Sequence, residues 1–496
     1  MELGLLLEMA ASDDPDRMAI TEAGGRSLTR GQLQAASAAV AAGLQRDGAT
    51  ALAYLATNHS AFAIALFGAA AAGIPFVPLN YRLSDDQLAE LLARHDGLTV
   101  VTDTPKRATA LGPSAVVERD EFVRGALEAG AIDAPAPPDD NAIAVLLYTS
   151  GTTSAPKAAV LRHRHLTSYV IGSVDFGSAG PDDAVLVSVP PYHIAGVSNL
   201  LSSIYSGRRL VYLDPFDPQR WLELVAAERI THAMVVPTML ARIVDALGAA
   251  TAPPLPSLAY GGSRMPITVL ERALRAFPDT AFANAYGLTE TSSTITVLGP
   301  DDHRQAMASD DPAVRARLES VGRALPGVEI EIRDGDVWVR GEQVSGEYVG
   351  SASAVDADGW FETRDRGRLD DGGYLFIEGR SDDTIIRGGE NVAPAEVEDA
   401  LLRHPAVAES AVVGIPDEEW GQRIAAVVVL RPGASVDLDE LREWSRSLLR
   451  SAKTPDVIEV RDALPYTDTG KLLRRVVRDS FVPTADGAAT PGSTGS

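Results

Sequence analysis

A run of small and hydroxylic residues between two short apolar segments is the part of this sequence best suited to chemistry. It reads TSGTTSAPK and extends from Thr149 to Lys157. Small residues let the backbone bend tightly, and successive backbone N–H groups with a lysine can cradle a polyphosphate. A Ser/Thr-rich surface turn has the same composition, so the stretch alone leaves both interpretations open. A phosphate loop would use Thr149, Ser150, Gly151, Thr152, Thr153 and Lys157.

The loop is not a Walker A motif, although Gly151 and Lys157 have the spacing of its first glycine and its lysine. Pro156 stands where the second glycine should free the backbone. Ala158 stands where a Ser or Thr hydroxyl should reach magnesium. The stretch therefore indicates a phosphate cradle of another kind.

A carboxylate further along the chain is suited to the same site. Glu290 ends the segment AYGLTE, in which a glycine turn lies between an aromatic residue and a Thr-Glu pair. Beside a polyphosphate, a carboxylate most economically holds Mg²⁺, directly or through water, because this ion prefers oxygen ligands. Taken alone, the segment is equally consistent with a solvated glutamate after a turn.

Together and in this order, TSGTTSAPK and YGLTE resemble the phosphate loop and the YGxTE motif of the acyl-adenylate-forming superfamily. That superfamily contains acyl- and aryl-CoA synthetases, peptide-synthetase adenylation domains and beetle luciferases. The resemblance covers about residues 27–471. It implies that a carboxylate attacks the α-phosphate of MgATP to give acyl-AMP and pyrophosphate, and that a thiol then displaces AMP. The implied cofactors are ATP, Mg²⁺ and CoA, and the implied substrate is a small carboxylic acid.

The resemblance assigns roles in the nucleotide site to several residues. Thr289 is expected to contact the α-phosphate and Glu290 to support the metal. Asp365 matches an aspartate that accepts hydrogen bonds from both ribose hydroxyls. Arg380 offers a planar cation for a ribose or phosphate oxygen. Lys471, in a TGK motif, is expected to bridge the attacking carboxylate and the α-phosphate, where charge builds up in the transition state.

The acyl pocket and the CoA site are implied in the same way. The residues expected to bind the acid are His193, Gly261, Gly262, Ser263, Tyr286 and Gly287. A lone histidine is more often structural, and a glycine pair after a strand also suits a plain turn. The residues expected to bind CoA are Arg82, Gly388, Gly389, Trp420 and Lys453. Cations and an aromatic ring suit its 3′-phosphate and adenine.

Two other functions stay open at this point. One is an adenylating enzyme that passes its acyl group to a carrier protein or to a nitrogen nucleophile. The other is a weakly active relative that binds ATP or an acid. Ser154 and Arg364 stand where the family usually has glycine, and the segment before Asp365 is short, which keeps this second alternative open.

The elements that position these residues follow from hydrophobic periodicity. Helical spacing at 33–44 and at 85–95 alternates with strand-like runs at 51–55 and 98–102. A similar alternation covers 184–247, and strand periodicity at 328–339 gives way to a helix at 396–402. Alternating strands and helices predict an α/β fold with mostly parallel sheets.

We predict a large N-terminal body of stacked α/β subdomains with mixed sheets, and a small mobile α+β C-terminal domain. The predicted domains are residues 1–381 and 382–482, with Asp382 as the hinge. The remaining residues, 483–496, lack a core-forming face and are expected to be disordered.

Bulk composition excludes several classes of function. With 496 residues, of which 45% are apolar, the chain is globular and too long for one core. A net charge of −24 without a basic run argues against binding nucleic acid. The absence of cysteine excludes disulfides and a cysteine nucleophile. We expect a cytoplasmic enzyme with no signal peptide and no membrane span. The oligomeric state stays open, with a homodimer as one candidate.

Overall fold

The computed structural model describes residues 1–22, 25–130, 136, 138–149, 156–449, 453–467 and 472–481. Several positions that the sequence singles out lie outside the described residues, namely Ser150, Gly151, Thr152, Thr153, Ser154 and Lys471. The tail at 483–496, expected to be disordered, also lies outside them.

The chain up to Arg162 alternates helices and strands, as its periodicity predicts. In chain order the elements are α1 (Gly4–Asp13), β1 (Met18–Glu22), β2 (Ser27–Thr29), α2 (Arg30–Arg46), β3 (Ala51–Leu55), α3 (Ser60–Ala72), β4 (Phe76–Pro78), α4 (Asp85–Leu92), β5 (Leu98–Thr102), α5 (Pro105–Ala110), β6 (Ala115–Glu118), α6 (Arg119–Glu128), β7 (Ile143–Thr149) and β8 (Lys157–Arg162). One sheet has the order β6-β5-β3-β4-β7-β8. Its neighbours are parallel except for β7 and β8, which are antiparallel. This exception joins the two ends of the TSGTTSAPK stretch.

Helix α3 lies in the core of this part of the chain. Its sequence, SAFAIALFGAAAA, is apolar on every face, which is typical of a helix buried on all sides. Gly68 permits close packing on α2, because a Cβ at this position would lie 2.6 Å from Cγ1 of Val40. Strand β4 follows α3. In the part of the chain that is described, no helix has the length and apolarity needed to cross a membrane.

A second sheet dominates the chain from His163 to Ala324. The elements are α7 (His163–Ser173), β9 (Ala184–Val187), α8 (Ile194–Ser206), β10 (Arg209–Tyr212), α9 (Pro218–Ala227), β11 (His232–Val235), α10 (Pro237–Leu247), β12 (Ser257–Gly261), α11 (Ile267–Ala276), β13 (Ala281–Leu288), a 3₁₀ helix (Thr289–Thr291), β14 (Ser293–Leu298), α12 (Pro300–Ala308), α13 (Pro312–Arg315), a 3₁₀ helix (Ala316–Glu319) and β15 (Arg323–Ala324). The sheet order is β15-β14-β13-β12-β11-β9-β10-β1-β2. It is parallel in the middle and antiparallel at both ends, which confirms the predicted mixed sheets.

A smaller sheet follows, with the strands β16 (Glu329–Arg333), β17 (Asp336–Arg340), β18 (Phe361–Leu369) and β19 (Leu375–Arg380) in this order. The chain divides into two compact units, and the division falls within β18 and β19. The first unit comprises Met1–Thr363 and Leu369–Phe376, and the second comprises Arg364–Arg368 and Ile377–Ser496. The boundary between domains expected after Ser381 stays a prediction.

The second unit combines small sheets with helices on a separate core, as predicted for a C-terminal α+β domain. Its further elements are a 3₁₀ helix (Ser381–Asp383), β20 (Ile385–Arg387), β21 (Glu390–Val392), α14 (Pro394–Leu402), β22 (Val407–Asp417), β23 (Gly421–Leu430), α15 (Leu438–Leu448), β24 (Val457–Val460) and α16 (Arg474–Asp479). Strands β22 and β23 are antiparallel, and β24 pairs in parallel with β23. Strands β20 and β21 form a separate hairpin.

One predicted helix is shorter than its apolar pattern indicates. The sequence predicts a helix over 85–95, but α4 ends at Leu92. The backbone N–H groups of Arg94 and His95 donate to carbonyls three residues earlier, so the chain tightens into a 3₁₀ turn. Ser84 caps the start of the helix, with its side chain accepting a hydrogen bond from the N–H of Gln87.

Candidate active site

The ends of the predicted phosphate loop are neighbours in the sheet. Thr149 lies opposite Lys157 in the β7–β8 ladder, and its hydroxyl is 3.5 Å from the carbonyl oxygen of Lys157. Residues 150–155, which connect these two, lie outside the described residues. The antiparallel pairing therefore places the predicted phosphate lysine directly beside the first threonine of the motif.

A tyrosine links the predicted phosphate lysine to the predicted metal carboxylate. The ammonium nitrogen of Lys157 lies 5.8 Å from the ring centroid of Tyr348, within the range of a cation–π contact. The hydroxyl of Tyr348 donates to Oε1 of Glu290 at 2.5 Å. This Lys157–Tyr348–Glu290 cluster brings together Lys157 and Glu290, which lie 133 positions apart in the sequence. We did not predict Tyr348, although its segment SGEY combines a glycine, a carboxylate and an aromatic residue much as YGLTE does.

The backbone around Tyr348 is attached to both other members of the cluster. The N–H of Val160 donates to the carbonyl of Glu347 at 2.9 Å, and the N–H of Val349 donates to the carbonyl of Ala158 at 3.0 Å. The N–H of Ser345 donates to the carbonyl of Glu290 at 2.8 Å. The cluster is therefore fixed through main-chain hydrogen bonds and does not depend on side-chain contacts alone.

Arg162 adds a side-chain attachment at the end of β8. Its guanidinium makes two parallel hydrogen bonds to the carboxylate of Glu347, at 2.7 and 3.0 Å. Such bidentate pairs fix geometry more strongly than single ion pairs. The segment that carries Tyr348 is held against β8 in this way.

The Thr-Glu pair occupies a sharp return of the chain. Thr289 and Glu290 form the 3₁₀ helix between β13 and β14. At Gly287 a Cβ would lie 1.7 Å from the carbonyl oxygen of Ser293, so only glycine fits this position. Ser292 and Ser293 follow with φ angles of 56° and 108°, in a region that side chains rarely adopt. The YGLTE motif is therefore built around this strained return, which positions Glu290 beside Tyr348.

The glycine pair at the end of β12 is required by the structure for two reasons. At Gly261 a Cβ would lie 2.2 Å from the carbonyl oxygen of Ala285, so the absent side chain lets β12 and β13 pair closely. Gly262 adopts a φ of 84° and turns the chain away from the sheet. Both glycines are explained by the conformation and packing of the backbone, as expected for a plain turn. The roles of both glycines, Ser263 and Tyr286 in binding the acid stay predictions.

His193 starts helix α8 as its N-cap. Its ring Nδ1 accepts a hydrogen bond from the N–H of Ala195 at 3.3 Å, which satisfies one of the free donors at the helix start. The preceding Tyr192 meets the ring of Tyr81 edge to face, with centroids 5.4 Å apart. His193 therefore has a structural role, and its expected contact with the acid stays a prediction.

In the second unit, the two residues expected to bind the ribose form an ion pair. The guanidinium of Arg380 lies 3.1 Å from the carboxylate of Asp365, which is buried. Arg364, which replaces the family's usual glycine, adopts a left-handed φ of 59°. This conformation costs a non-glycine residue roughly 1–2 kcal/mol. The backbone beside Asp365 thus adopts a conformation that suits glycine, even though an arginine is present.

The residues expected to bind CoA fall in both units. In the first, the guanidinium of Arg82 lies 5.6 Å from the ring centroid of Tyr81. In the second, the N–H of Gly388 donates to the carbonyl of Trp420 at 2.8 Å, and a Cβ at Gly388 would lie 2.9 Å from the indole. The indole itself is 47% exposed. The second unit therefore presents a flat aromatic face beside the glycine turn.

Lys453, Gly389 and Asp382 are further predicted positions of the second unit. Lys453 forms an ion pair with Glu396 at 2.5 Å, so a phosphate would have to compete with that carboxylate. Gly389 is exposed and has a φ of 85°, with no heavy atom within 4 Å of an added Cβ. Asp382 lies in the 3₁₀ helix that follows β19.

The donor set of the first unit fits a magnesium–nucleotide better than a resident metal centre. Among the described residues there is no group of three or more His, Asp or Glu side chains that could hold an ion. Mg²⁺ typically binds one or two carboxylates, substrate phosphates and several waters. Glu290 is a carboxylate of this kind, and Lys157 is a cation suited to phosphate; their roles stay predictions.

Two family models and several known proteins match most of this chain. The family model of the AMP-binding enzymes matches residues 7–349, and that of their C-terminal domain matches residues 396–471. A feruloyl-CoA synthase from Amycolatopsis sp is 35% identical over 472 residues, which cover 92% of this chain and 95% of the relative. A fatty acid–[acyl-carrier-protein] ligase from Streptomyces coeruleorubidus is 34% identical over 487 residues, which cover 92% of both chains.

A solved structure extends the likeness to both domains. The o-succinylbenzoate CoA synthetase of Bacillus subtilis, in complex with its acyl-adenylate intermediate, is 30% identical with a TM-score of 0.83. The match covers 96% of this chain and 98% of that one. The same enzyme has also been solved with ATP and a magnesium ion. The chain therefore belongs to the AMP-binding enzymes, the acyl-adenylate-forming superfamily that its motifs resemble, and to their acyl- and aryl-CoA synthetase type.

Proposed function

We propose that this protein is an AMP-forming acid–CoA ligase for a fatty or aromatic acid. It would convert a carboxylate and MgATP to acyl-AMP and pyrophosphate, and then form a thioester with CoA. The Lys157–Tyr348–Glu290 cluster supports the proposal, because it brings a cation suited to phosphate close to a carboxylate suited to Mg²⁺. ATP, Mg²⁺ and CoA are the cofactors of this reaction.

In the first step, residues of the first unit hold the phosphates and the metal. Lys157 neutralises phosphate charge, Thr289 contacts the α-phosphate, and Glu290, oriented by Tyr348, supports the metal. Mg²⁺, when bound, draws charge from the phosphates and orients pyrophosphate as the leaving group. Asp365 binds the ribose hydroxyls, and Arg380 binds a ribose or phosphate oxygen, which aligns the α-phosphate with the attacking carboxylate.

The second unit supplies one group for each step. Lys471 lowers the repulsion between carboxylate and α-phosphate in the first step. The turn at Gly388, with Trp420 beside it, borders CoA in the second step. We propose that the second unit rotates about Asp382 between the steps, because both groups belong to one domain and serve one site in turn.

Replacing Lys471 tests this alternation. Lys471→Ala should nearly abolish adenylation but spare thioester formation from supplied acyl-AMP, because the second step does not use the lysine. Pyrophosphate release and thioester yield measure the two half-reactions separately. Equal loss in both would contradict the alternation.

The proposal as a whole is tested with a panel of carboxylic acids, each incubated with MgATP in the presence and absence of CoA. Pyrophosphate release with one class of acid, and a CoA thioester only when CoA is present, would support it. The panel should pair aromatic acids with straight-chain acids of similar carbon number. A matched pair separates the preference for a ring from a preference for size. If no acid in the panel causes pyrophosphate release, the weakly active, ligand-binding alternative would be favoured.

A second candidate acceptor is a carrier protein, because one of the most similar relatives is a fatty acid–[acyl-carrier-protein] ligase. In that case pyrophosphate release would persist without CoA, and the acyl group would appear on an added carrier protein. A nitrogen nucleophile would instead yield an amide. A cytoplasmic location and a homodimer also belong to the proposal. Light scattering of the purified chain tests the latter.

A further inference from the structure

Arg94 and His95 lie just after helix α4. Together they contact Tyr148 in β7 and Pro156, which precedes β8. The guanidinium of Arg94 donates to the carbonyl of Pro156 at 2.7 Å. It also lies 5.7 Å from the ring centroid of Tyr148, so the same group contacts β7 and the residue just before β8. Neither Arg94 nor His95 has a role in the mechanism above.

His95 holds the same tyrosine from another side. Its Nε2 lies 2.8 Å from the hydroxyl of Tyr148, and the two rings meet edge to face with centroids 6.1 Å apart. Burial lowers the pKa of His95, and the positive charge of Arg94 lowers it further, while burial raises the pKa of Tyr148. The imidazole and the phenol therefore pair as neutral groups around neutral pH.

These contacts act on residues immediately next to the predicted ligands of the phosphates. Tyr148 precedes Thr149, and Pro156 precedes Lys157. Thr149 and Lys157 are partners in the β7–β8 ladder, at its open end. An open strand end frays easily unless side chains hold it, since few backbone hydrogen bonds remain there. One guanidinium that contacts both sides of this end restricts the position of the lysine.

Arg94 is itself held in place. Its second terminal nitrogen pairs with Glu90, one turn earlier in α4, at 2.7 Å. The arginine is about one-third exposed, so one face packs on Tyr148 while the ion pair remains near solvent. A surface pair of this kind contributes little stability. The contacts to Pro156 and Tyr148 are therefore better explained by positioning than by stabilisation of the fold.

We propose that Arg94, assisted by His95, is a positioning residue for Lys157 and thereby sets the affinity of the protein for MgATP. The arginine does not touch the nucleotide; it acts through Pro156 and Tyr148. This inference rests on the proposed function only in that MgATP is the ligand of Lys157.

Direct binding of MgATP to the full-length protein, measured by calorimetry without acid or CoA, tests the inference. Arg94→Ala should weaken binding about tenfold, the scale of one hydrogen bond from a charged donor. The control is Arg46→Ala, which removes the same charge from an exposed arginine that pairs with the adjacent Asp47. It should leave binding unchanged.

Arg94→Lys separates positioning from charge. Lysine retains the charge and one donor but loses the planar group that packs on Tyr148. Partial recovery of MgATP affinity supports positioning, whereas full recovery would show that charge alone matters and would overturn the inference. In steady-state assays, the KM for ATP should rise while the KM for the acid and thioester formation from supplied acyl-AMP stay constant.

Other outcomes are equally decisive. Unchanged MgATP binding by Arg94→Ala would overturn the inference, and so would a parallel loss of both half-reactions together with a lowered Tm. If the wild-type protein binds MgATP but turns over no acid, the proposed function fails while the binding comparison still tests Arg94. The two failures are thus distinguishable.

Discussion

Arg474, three residues after the predicted catalytic Lys471, offers the most quantitative prediction from the second unit. Its guanidinium pairs with both carboxylate oxygens of Glu398, donates to the carbonyl of Val412 at 2.8 Å, and lies 3.6 Å from Asp383. Glu398 also accepts a hydrogen bond from the N–H of Val412 at 2.7 Å. The arginine thus joins α16 to α14 and β22.

The cost of Arg474→Met follows from burial. The side chain of Glu398 is 10% exposed and that of Arg474 is 21% exposed. Removing one partner of a buried pair typically costs 3–5 kcal/mol, because the other charge is left buried without a counter-charge. Since Arg474 has some access to water, we expect about 3 kcal/mol, the lower end of that range.

Hydrogen exchange resolved by mass spectrometry is a suitable assay, because it reports local opening within one unit of a two-unit protein. Amides of α14 and β22 should exchange about a hundredfold faster in Arg474→Met, since each 1.4 kcal/mol corresponds to a factor of ten. The control is Arg475→Met, the neighbouring arginine, which is 68% exposed. It should change the free energy of opening by less than about 0.5 kcal/mol.

A double-mutant cycle decides whether the pair itself is responsible. Glu398→Gln removes the charge but keeps an acceptor for the N–H of Val412. The double variant should lose at least about 1 kcal/mol less than the sum of the two single variants, because no buried charge is left unpaired. Additivity within about 0.5 kcal/mol would refute the reasoning.

Two further predictions concern the two half-reactions. Tyr348→Phe keeps the ring beside Lys157 but removes the hydroxyl that binds Glu290, so pyrophosphate release should fall about tenfold, the effect of one lost charged hydrogen bond; a wild-type rate at all Mg²⁺ concentrations would contradict this role. Gly388→Ala should slow thioester formation from supplied acyl-AMP, because its Cβ would lie 2.9 Å from the indole of Trp420. Gly433→Ala is the matched control: it incurs a similar left-handed backbone cost of about 1 kcal/mol without that clash, and equal rates for both variants would refute the role of the indole.

Local patterns predicted much of the architecture. The apolar runs at Ala51–Leu55 and Leu98–Thr102 are strands with the expected bounds, because short apolar runs between turn residues have few other solutions. The addition of β1 to the second sheet, next to β10, could not be predicted in this way. It depends on pairing between segments about 190 residues apart, which local periodicity does not encode.

The same distinction between local pattern and long-range pairing applies to the candidate site. The motifs predicted Lys157 and Glu290, whose residue types suit phosphate and magnesium. They did not predict Tyr348, because its role depends on a long-range pairing of its segment with β8. At Gly261 the structure shows a close approach of the Ala285 carbonyl, which the sequence did not predict, while the contact of this glycine with the acid stays a prediction. A glycine in the sequence can indicate that the space around its Cα is restricted, but it does not indicate which group restricts it.

The central claim, that an acid is activated as its adenylate, is tested most directly by following oxygen atoms. The acid carries ¹⁸O in both carboxylate positions and is incubated with the protein, MgATP and CoA. If a carboxylate oxygen attacks the α-phosphate and the thiol later expels AMP, each AMP carries one ¹⁸O atom, which mass spectrometry detects. Unlabelled AMP, or ¹⁸O in inorganic phosphate together with ADP, would contradict the account.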